Sequence, residues 1–183
     1  MKRLLKFALV AALLGLGVFW WLTRANAPFY STPLPSNTLD VDLANGELVF
    51  WASGCASCHA AKDAEGDAKL LLGGGHRLKT PFGTFVTPNI SPDEVVGVGN
   101  WTLKRFENAT LYGVSSKGHY YPSFPYASYS KMEWKDIRDL FGYLKTLPPV
   151  SRKNEPHELA LPFQWRRPLG IWKRLFLNAD WAV

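Results

Sequence analysis

The chain contains only two cysteines, Cys55 and Cys58, and His59 follows the second one directly. A structural zinc site needs two further ligands, and the other histidines show no zinc-finger spacing. A thioredoxin-like redox pair uses this cysteine spacing inside a βαβ unit, for which the sequence gives no indication. An extracellular disulfide framework uses more cysteines at longer spacings. These classes of site are therefore disfavoured.

The interpretation that fits is a covalently attached haem. Two thiols three residues apart can bond to the two vinyl groups on one haem edge, and the adjacent histidine then lies on the haem axis. The sequence predicts one haem c, bonded through Cys55 and Cys58, with His59 as an axial iron ligand.

The sixth coordination position of the iron needs a second ligand or stays open. Met132 is the only methionine after the first residue and lies 73 positions beyond His59. A thioether there can bind iron from the opposite face, although a lone methionine is more often core filler. We predict Met132 as the second axial ligand and keep His119 as the alternative. We expect His76 and His157 at the surface or packed in loops.

Residues 1–27 have the pattern of an export or membrane segment. A basic start precedes residues 7–22, which carry no charge, and a tryptophan pair suits the membrane interface. Residues 25–27 resemble a signal-peptidase site, but Pro28 directly after the cut fits cleavage poorly. We favour a retained transmembrane helix over a cleaved signal. The basic start places the N-terminus in the cytoplasm and the rest of the chain outside.

Charge and composition divide the remainder of the chain into three parts. Residues 28–39 contain three prolines and predict an extended linker. Residues 40–150 form the predicted haem domain, and residues 151–183 form a tail rich in basic and aromatic residues. The formal net charge of +6 comes from +4 in residues 1–27, −1 in 28–150 and +3 in 151–183. A near-neutral domain argues against nucleic-acid binding, whereas basic ends suit a membrane surface or an acidic partner.

Apolar spacing predicts three helices in the domain. The first two cover residues 43–53 and 101–111. Ser130 stands three residues before Glu133, which is a capping-box pattern for the start of the third helix. Its apolar positions recur at i, i+3, i+4 and i+7, at Ile137, Leu140, Phe141 and Leu144.

The stretches between these helices are rich in Gly, Pro, Ser, Thr and Asn. Residues 73–100 and 113–130 are therefore predicted as loops, and no period-2 strand pattern of any length is visible. We predict an all-α domain whose long loops wrap around one haem, preceded by a transmembrane helix.

Four sequence blocks between Gly46 and Pro149 point to a family. They are residues 55–59 (CASCH), 80–93 (TPFGTFVTPNISPD), 121–126 (YPSFPY) and 143–149 (YLKTLPP). With these blocks the chain resembles class I cytochrome c. It is most similar to the haem domains of cytochrome subunits of periplasmic, membrane-bound alcohol, aldehyde and gluconate dehydrogenases.

This resemblance implies a fold and shows two departures. In the family the first and last helices cross, so Gly46 and Phe50 should meet the face that bears Leu140 and Tyr143. Many such subunits hold three haem domains, whereas this sequence shows one haem motif. Some relatives have Met where Phe124 stands in this chain.

The resemblance implies one-electron transfer without substrate chemistry. We expect a carrier in the cell inner membrane, with its haem domain on the periplasmic side. Its partners would be a periplasmic dehydrogenase, a terminal oxidase or another respiratory complex. Two alternatives stay open: a haem enzyme or sensor with an open sixth site, and a relay subunit fixed in a larger complex. The tail is either a docking element for membrane or partner, or a strap packed on the domain.

Overall fold

A computed structural model describes residues 1–25 and 41–177 of the chain. The predicted linker, residues 28–39, lies outside them. In chain order the elements are α1 (Lys2–Thr23), α2 (Leu43–Ala52), α3 (Cys55–His59), a 3₁₀ helix (Gly66–Leu70), β1 (Arg77–Thr80), β2 (Gly83–Val86), α4 (Leu103–Thr110), β3 (Val114–Ser115), β4 (Gly118–His119), α5 (Tyr126–Tyr129), α6 (Trp134–Thr146), β5 (Glu158–Leu159) and α7 (Leu169–Phe176). The regular structure is mostly helical, as predicted.

Helices α2 and α6 cross at Gly46. A Cβ atom at Gly46 would collide with the carbonyl oxygen of Asp139 and lie 2.8 Å from the Cβ of Tyr143, so the crossing needs a residue without a side chain. One turn further on, the rings of Phe50 and Tyr143 pack with their centroids 5.5 Å apart. The predicted crossing of the first and last helices of the domain is confirmed.

A buried carboxylate joins the same two helices. Asp139 on α6 has no exposed surface, and it accepts hydrogen bonds from Asn45 of α2 at 2.9 Å, from Lys135 at 2.9 Å and from Arg138 at 2.8 Å. Burial alone would raise the pKa of Asp139, but these donors outweigh it and lower the pKa to about 2. The carboxylate is therefore ionised at neutral pH.

The main hydrophobic core lies between α2, α3, α4 and α6. Its buried members include three of the four apolar positions predicted for the last helix, whereas Phe141 packs at the edge. The buried members are Val49, Phe50, Ala56, Ala60, Leu72, Phe106, Ile137, Leu140, Leu144 and Leu147. The core therefore includes Ala56 of α3, the helix that carries the cysteine pair.

The prediction that residues 73–100 and 113–130 are loops without strands was wrong in part. Strands β1 and β2 pair antiparallel inside the first stretch, and β5 from the tail adds to β2. Strands β3 and β4 form a hairpin in the second stretch, where α5 adds one helical turn. Each strand has four residues or fewer, which is too short for a periodic pattern to stand out.

The capping box predicted at Ser130 is not formed. Helix α6 begins after Glu133, which makes no side-chain capping bond, and the hydroxyl of Ser130 donates instead to the carbonyl of Ala127 at 3.0 Å. Because α5 occupies residues 126–129, Ser130 belongs to the end of that turn rather than to the start of α6.

Helix α1 stands apart from the core. It has the length and apolar composition to cross a membrane and is exposed along nearly its whole length. At 1.5 Å per residue its 22 residues rise about 33 Å, which matches a hydrocarbon core of about 30 Å. Only its C-terminal end packs on the rest of the described chain, mainly against α7.

Candidate haem site

The cysteine pair lies on the short helix α3. Gly54 precedes it with a φ of 69°, a left-handed conformation that separates α3 from α2. Cys55 and Cys58, three residues apart, lie on the same face of the helix. Neither thiol forms a disulfide, both residues are partly accessible, and Cys55 packs against the core. The two thiols can therefore both bond to one edge of a flat ligand held against the core.

The surroundings of the thiols differ from those of a redox-active cysteine pair. Burial raises the pKa of Cys55 to about 12, and the neighbouring Cys58 adds to the increase. A thioredoxin-like pair instead has a lowered thiol pKa and belongs to a βαβ unit. All strand pairs of the described ranges are antiparallel. These observations argue against a thiol oxidoreductase.

The ring of His59 is oriented by a backbone carbonyl. Its Nδ1 lies 2.8 Å from the carbonyl oxygen of Pro88, and since a carbonyl can only accept, Nδ1 carries the proton. The other ring nitrogen, Nε2, keeps its lone pair. Burial lowers the pKa of His59, which favours the neutral ring that metals bind. His59 is thus held in the form of an iron ligand.

The loop that carries Pro88 is fixed against α3. The Gly74 amide donates to the carbonyl of His59 at 2.7 Å, and the Ile90 amide donates to the carbonyl of Leu72 at 3.0 Å. Gly74 has a φ of 68°, and a Cβ there would collide with the carbonyls of Thr87 and Pro88. The sequence therefore needs glycine where the chain passes behind the acceptor of His59.

Pro88 is a candidate site residue that the sequence reasoning missed. It contributes a backbone carbonyl, which no side-chain pattern reveals. The available signal was its place inside the block 80–93, one of the four that carry the family resemblance. A carbonyl that accepts from one ring nitrogen of a ligating histidine fixes the tautomer, so that the other nitrogen can bind the metal.

The segment containing Met132 is tied to the cysteine region. The hydroxyl of Tyr129 donates to the carbonyl of Ser53 at 2.9 Å, just before α3. The Met132 amide donates to the carbonyl of Tyr129 at 3.0 Å. Met132 is partly buried and packs against the same core cluster as Cys55. The fold therefore brings the predicted second ligand to the core that borders the cysteine pair.

His119, the alternative ligand, is engaged elsewhere. It is buried, and its Nε2 lies 3.1 Å from the carbonyl oxygen of Thr23 at the end of α1. Its Nδ1 has no hydrogen-bond partner among residues 1–25 and 41–177. Burial is the largest cause that lowers the pKa of His119, and nearby Lys173 adds to it. This position favours a structural role over iron ligation.

The two other histidines contribute to loop packing. His157 accepts a hydrogen bond from the Val86 amide at 3.1 Å, and its ring packs on Phe85 and Tyr121. His76 borders a surface depression beside α3 that neither thiol lines. Within the described ranges, no group of three or more His, Cys, Asp or Glu side chains could hold a metal ion by itself. The donors present suit a haem, whose porphyrin nitrogens supply four of the iron ligands.

Comparison with known proteins agrees with this donor set. The chain is 49% identical, over its whole length and 61% of the relative, to the "Diheme cytochrome c-type" protein of Cereibacter sphaeroides. It is 32% identical to the fructose dehydrogenase cytochrome subunit of Gluconobacter japonicus, over 77% of this chain and 29% of that one. The gluconate 2-dehydrogenase cytochrome c subunit of Pantoea cypripedii is 32% identical, over 75% of this chain and 30% of the relative.

The chain therefore spans less than two thirds of the length of each of these relatives. The sequence profile of cytochrome c matches residues 43–148, which run from the start of α2 to just beyond α6. This region contains the cysteine pair, His59, Pro88 and Met132, and it excludes α1 and α7. The chain belongs to the cytochrome c family, whose domain carries covalently bound haem c.

Proposed function

We propose that the chain is a membrane-anchored periplasmic cytochrome that carries single electrons on one haem. In this proposal the haem is bonded through Cys55 and Cys58, and its iron is held by His59 and Met132. Bound haem supplies a one-electron change at the iron. Electrons would pass from a periplasmic dehydrogenase or another respiratory donor to a terminal oxidase or another respiratory complex.

The observation that carries the proposal is the hydrogen bond from His59 to Pro88. The bond fixes Nδ1 as the protonated nitrogen, so that Nε2 is available as a ligand directly beside two free thiols. A packing histidine has no need for this combination. The same residues would also fix the position of the haem. Covalent bonds at both cysteines would hold the haem edge, and the bond to Pro88 would prevent the imidazole of His59 from rotating.

The surrounding residues favour a carrier over an enzyme. The core beside α3 is built from apolar side chains, and Cys55 packs against it. Among residues 1–25 and 41–177, Met132 is the one methionine that packs against this core, and a thioether is a common second axial ligand in electron carriers. With that ligand in place the iron has no position for a substrate.

The partner class is taken from the relatives. Those reported above include cytochrome subunits of fructose and gluconate dehydrogenases. We infer that a dehydrogenase of this general kind is the electron donor. The single cysteine pair supports one haem in this sequence, although the relative from Cereibacter sphaeroides is named as dihaem.

The membrane part of the proposal rests on α1. Its length suits a bilayer, and its tryptophans lie at the end nearer the domain. N-terminal sequencing of protein taken from native membranes tests retention. A mature chain that starts at Pro28 and is released with the soluble periplasm would contradict the anchor and leave the cytochrome assignment intact.

The haem assignment is tested by extraction and mass. Acidified acetone should leave the haem on the denatured polypeptide, and the mass should exceed that of the bare chain by one haem. Cys55→Ala with Cys58→Ala should release the haem into the organic layer. Free haem from the unchanged protein would contradict the proposal.

The second ligand separates the carrier from a haem enzyme or sensor. We expect Met132→Ala to abolish the weak far-red sulfur-to-iron band, lower the reduction potential and admit small ligands to the iron. Leu111→Ala is the matched control, because Leu111 is also partly buried against the same core but has no ligating atom. A band that persists in Met132→Ala would contradict Met132 as the ligand and make His119 the candidate, whereas peroxide turnover by the resting protein would favour the enzyme or sensor.

A further inference from the structure

The C-terminal end of α1 is capped by side chains from distant parts of the chain. The Nε of Arg174 donates to the carbonyl of Leu22 at 3.0 Å, and His119 donates to the carbonyl of Thr23 at 3.1 Å. The last carbonyls of a helix have no partner within it, and they favour cationic donors. These bonds tie α1 to both α7 and the β3–β4 hairpin.

We call the contacts between the end of α1, α7 and the β3–β4 hairpin the junction. Aromatic rings reinforce this junction. The guanidinium of Arg167 lies 3.7 Å from the ring centroid of Trp20 and donates to the Trp20 carbonyl at 3.2 Å. The guanidinium of Arg174 lies 4.6 Å from the ring centroid of Trp21. Two arginines of the tail are therefore stacked on the tryptophan pair that ends the apolar run of α1.

Helix α7 bridges α1 and the cytochrome domain, and its backbone approaches that of α1 closely at Gly170. A Cβ at Gly170 would lie 2.8 Å from the Cα of Thr23 and 3.0 Å from Nε2 of His119. On the domain side, Lys173 is buried and its ammonium donates to the carbonyl of Tyr112 at 2.7 Å. Helix α7 is thus fixed to α1 through one set of contacts and to the cytochrome domain through another.

The bridge also presents an apolar surface that is continuous with α1. We call residues 163–176 the collar. Trp165 packs on Phe19 of α1 with ring centroids 5.7 Å apart and is still 54% exposed. Leu175 is 69% exposed and Phe176 is 68% exposed. Apolar side chains therefore continue from the last turns of the candidate span onto the domain.

We propose that the collar lies in the headgroup layer of the bilayer that α1 crosses, with phospholipid as its occupant. The inference rests on the membrane anchor of the proposed function. Aromatic and basic residues together are typical of segments at this depth, and the collar is fixed to the end of the spanning helix. Phospholipid is the expected occupant because the collar surface is continuous with that of the spanning helix.

The collar would set the orientation of the haem domain. A domain joined to its anchor by a linker alone could turn freely over the membrane. Here Arg167, Arg174 and His119 hold the end of α1, and Lys173 holds the domain to the same helix. The haem domain would therefore meet membrane-bound partners at a fixed height and with one face.

Depth measurements on the full haem-loaded chain test this placement. Trp165→Cys and Leu175→Cys are spin-labelled in nanodiscs of phosphatidylcholine with a minority of phosphatidylglycerol. Val95→Cys, at a position that is 91% exposed on the domain, is the aqueous control. Spin labels at positions 165 and 175 should be relaxed by oxygen and shielded from a water-soluble nickel complex. The label at position 95 should be relaxed by the nickel complex and less by oxygen. Water-like behaviour at all three positions would overturn the collar.

Two controls distinguish a failure of the collar from a failure of the haem assignment or of the membrane anchor. The parent protein should take up no spin label, because both cysteines are bonded to haem; uptake there would contradict the haem assignment instead. The N-terminal sequence of each sample reports whether α1 is retained. If α1 is present but the labels at positions 165 and 175 behave as in water, the membrane placement of the collar is wrong, whereas the membrane anchor is retained.

A second set of variants disrupts the junction without removing the span. Gly170→Leu, or Arg167→Ala with Arg174→Ala, should leave the protein in the membrane fraction but at least halve the depth difference between labels 175 and 95. Lys153→Ala, at an exposed cation of the tail, should not change it. An unchanged depth difference in both junction variants would contradict the role of these contacts in holding the collar.

Discussion

Two histidines of this chain bond to backbone carbonyls through opposite ring nitrogens. His59 donates from Nδ1 to Pro88, and His119 donates from Nε2 to Thr23. The first arrangement leaves the outer nitrogen, Nε2, available beside two thiols. The second uses Nε2 and leaves Nδ1 buried without a partner in the described ranges.

The difference shows how a hydrogen bond assigns a role. Burial lowers the pKa of both rings, so charge does not distinguish them. The acceptor does: Pro88 lies in a loop packed on α3, whereas Thr23 ends the candidate membrane helix. One hydrogen bond therefore leaves a ring nitrogen free for the proposed ligand role, and the other caps a helix end.

The largest expected effect comes from exchanging these histidines for alanine. His59→Ala should remove the iron ligand and abolish the low-spin spectrum of the reduced protein, even if haem stays bonded to the cysteines. His119→Ala should retain that spectrum and change only the junction. Visible spectra of both reduced variants, normalised to covalent haem content, show whether the low-spin spectrum is retained. Loss of the low-spin spectrum in His119→Ala as well would contradict this and make His119 the second axial ligand in place of Met132.

Two glycines sharpen the same comparison between regions. Gly46→Val forces a side chain against the backbone of α6 and should lower the free energy of unfolding of the haem domain by about 3 kcal/mol. Gly170→Val meets Thr23 and His119 instead, so it should mainly increase hydrogen exchange at the end of α1. Denaturant unfolding and amide exchange separate the two effects. Equal destabilisation of the domain by both variants would show that the regions fold as one unit.

The sequence predicted the parts of the fold that depend on side-chain pattern. The spacing of Ile137, Leu140 and Leu144 located the last helix, and the family resemblance predicted its crossing at Gly46. The cysteine spacing indicated haem, and cytochrome c family membership agrees with it. These features are local in sequence, or repeat with the period of a helix.

Features that depend on distant backbone were not predictable in the same way. Pro88 acts through a carbonyl 29 residues from His59, and β5 pairs with a strand about 75 residues earlier. The sequence allows either a strap or a docking element for the tail, and residues 151–177 pack through α7 on α1 and on the domain. The contacts of His119 with α1 join positions 96 residues apart. No single-sequence pattern encodes these pairings.

Acid should weaken the two regions unequally. The lowered pKa of Asp139 stabilises the fold fully above the unfolded value of 3.8, and this contribution is lost as pH falls toward about 2. We expect a loss of about 2 kcal/mol across that window. At the junction of α1 with α7 and the β3–β4 hairpin, His119 is a titratable donor, and because burial lowers its pKa, its contribution begins to be lost as the pH falls below the unfolded value of 6.5. Unfolding from pH 5 to pH 2 should therefore show a steeper decline for the parent domain than for Asp139→Asn; parallel declines would contradict this role.

The smallest expected effect on stability concerns two side-chain hydroxyls near the starts of helices α4 and α6. Thr102 caps α4 by accepting from the Arg105 amide at 3.2 Å, so Thr102→Ala should cost about 1 kcal/mol. Ser130 matches a capping box in sequence, but its hydroxyl bonds the carbonyl of Ala127. Since no amide of α6 loses a partner, we expect Ser130→Ala to cost about 0.5 kcal/mol or less, within the range of ordinary substitutions. Chemical denaturation of both variants measures the difference, and a larger cost at Ser130 would mean that it caps α6 in solution.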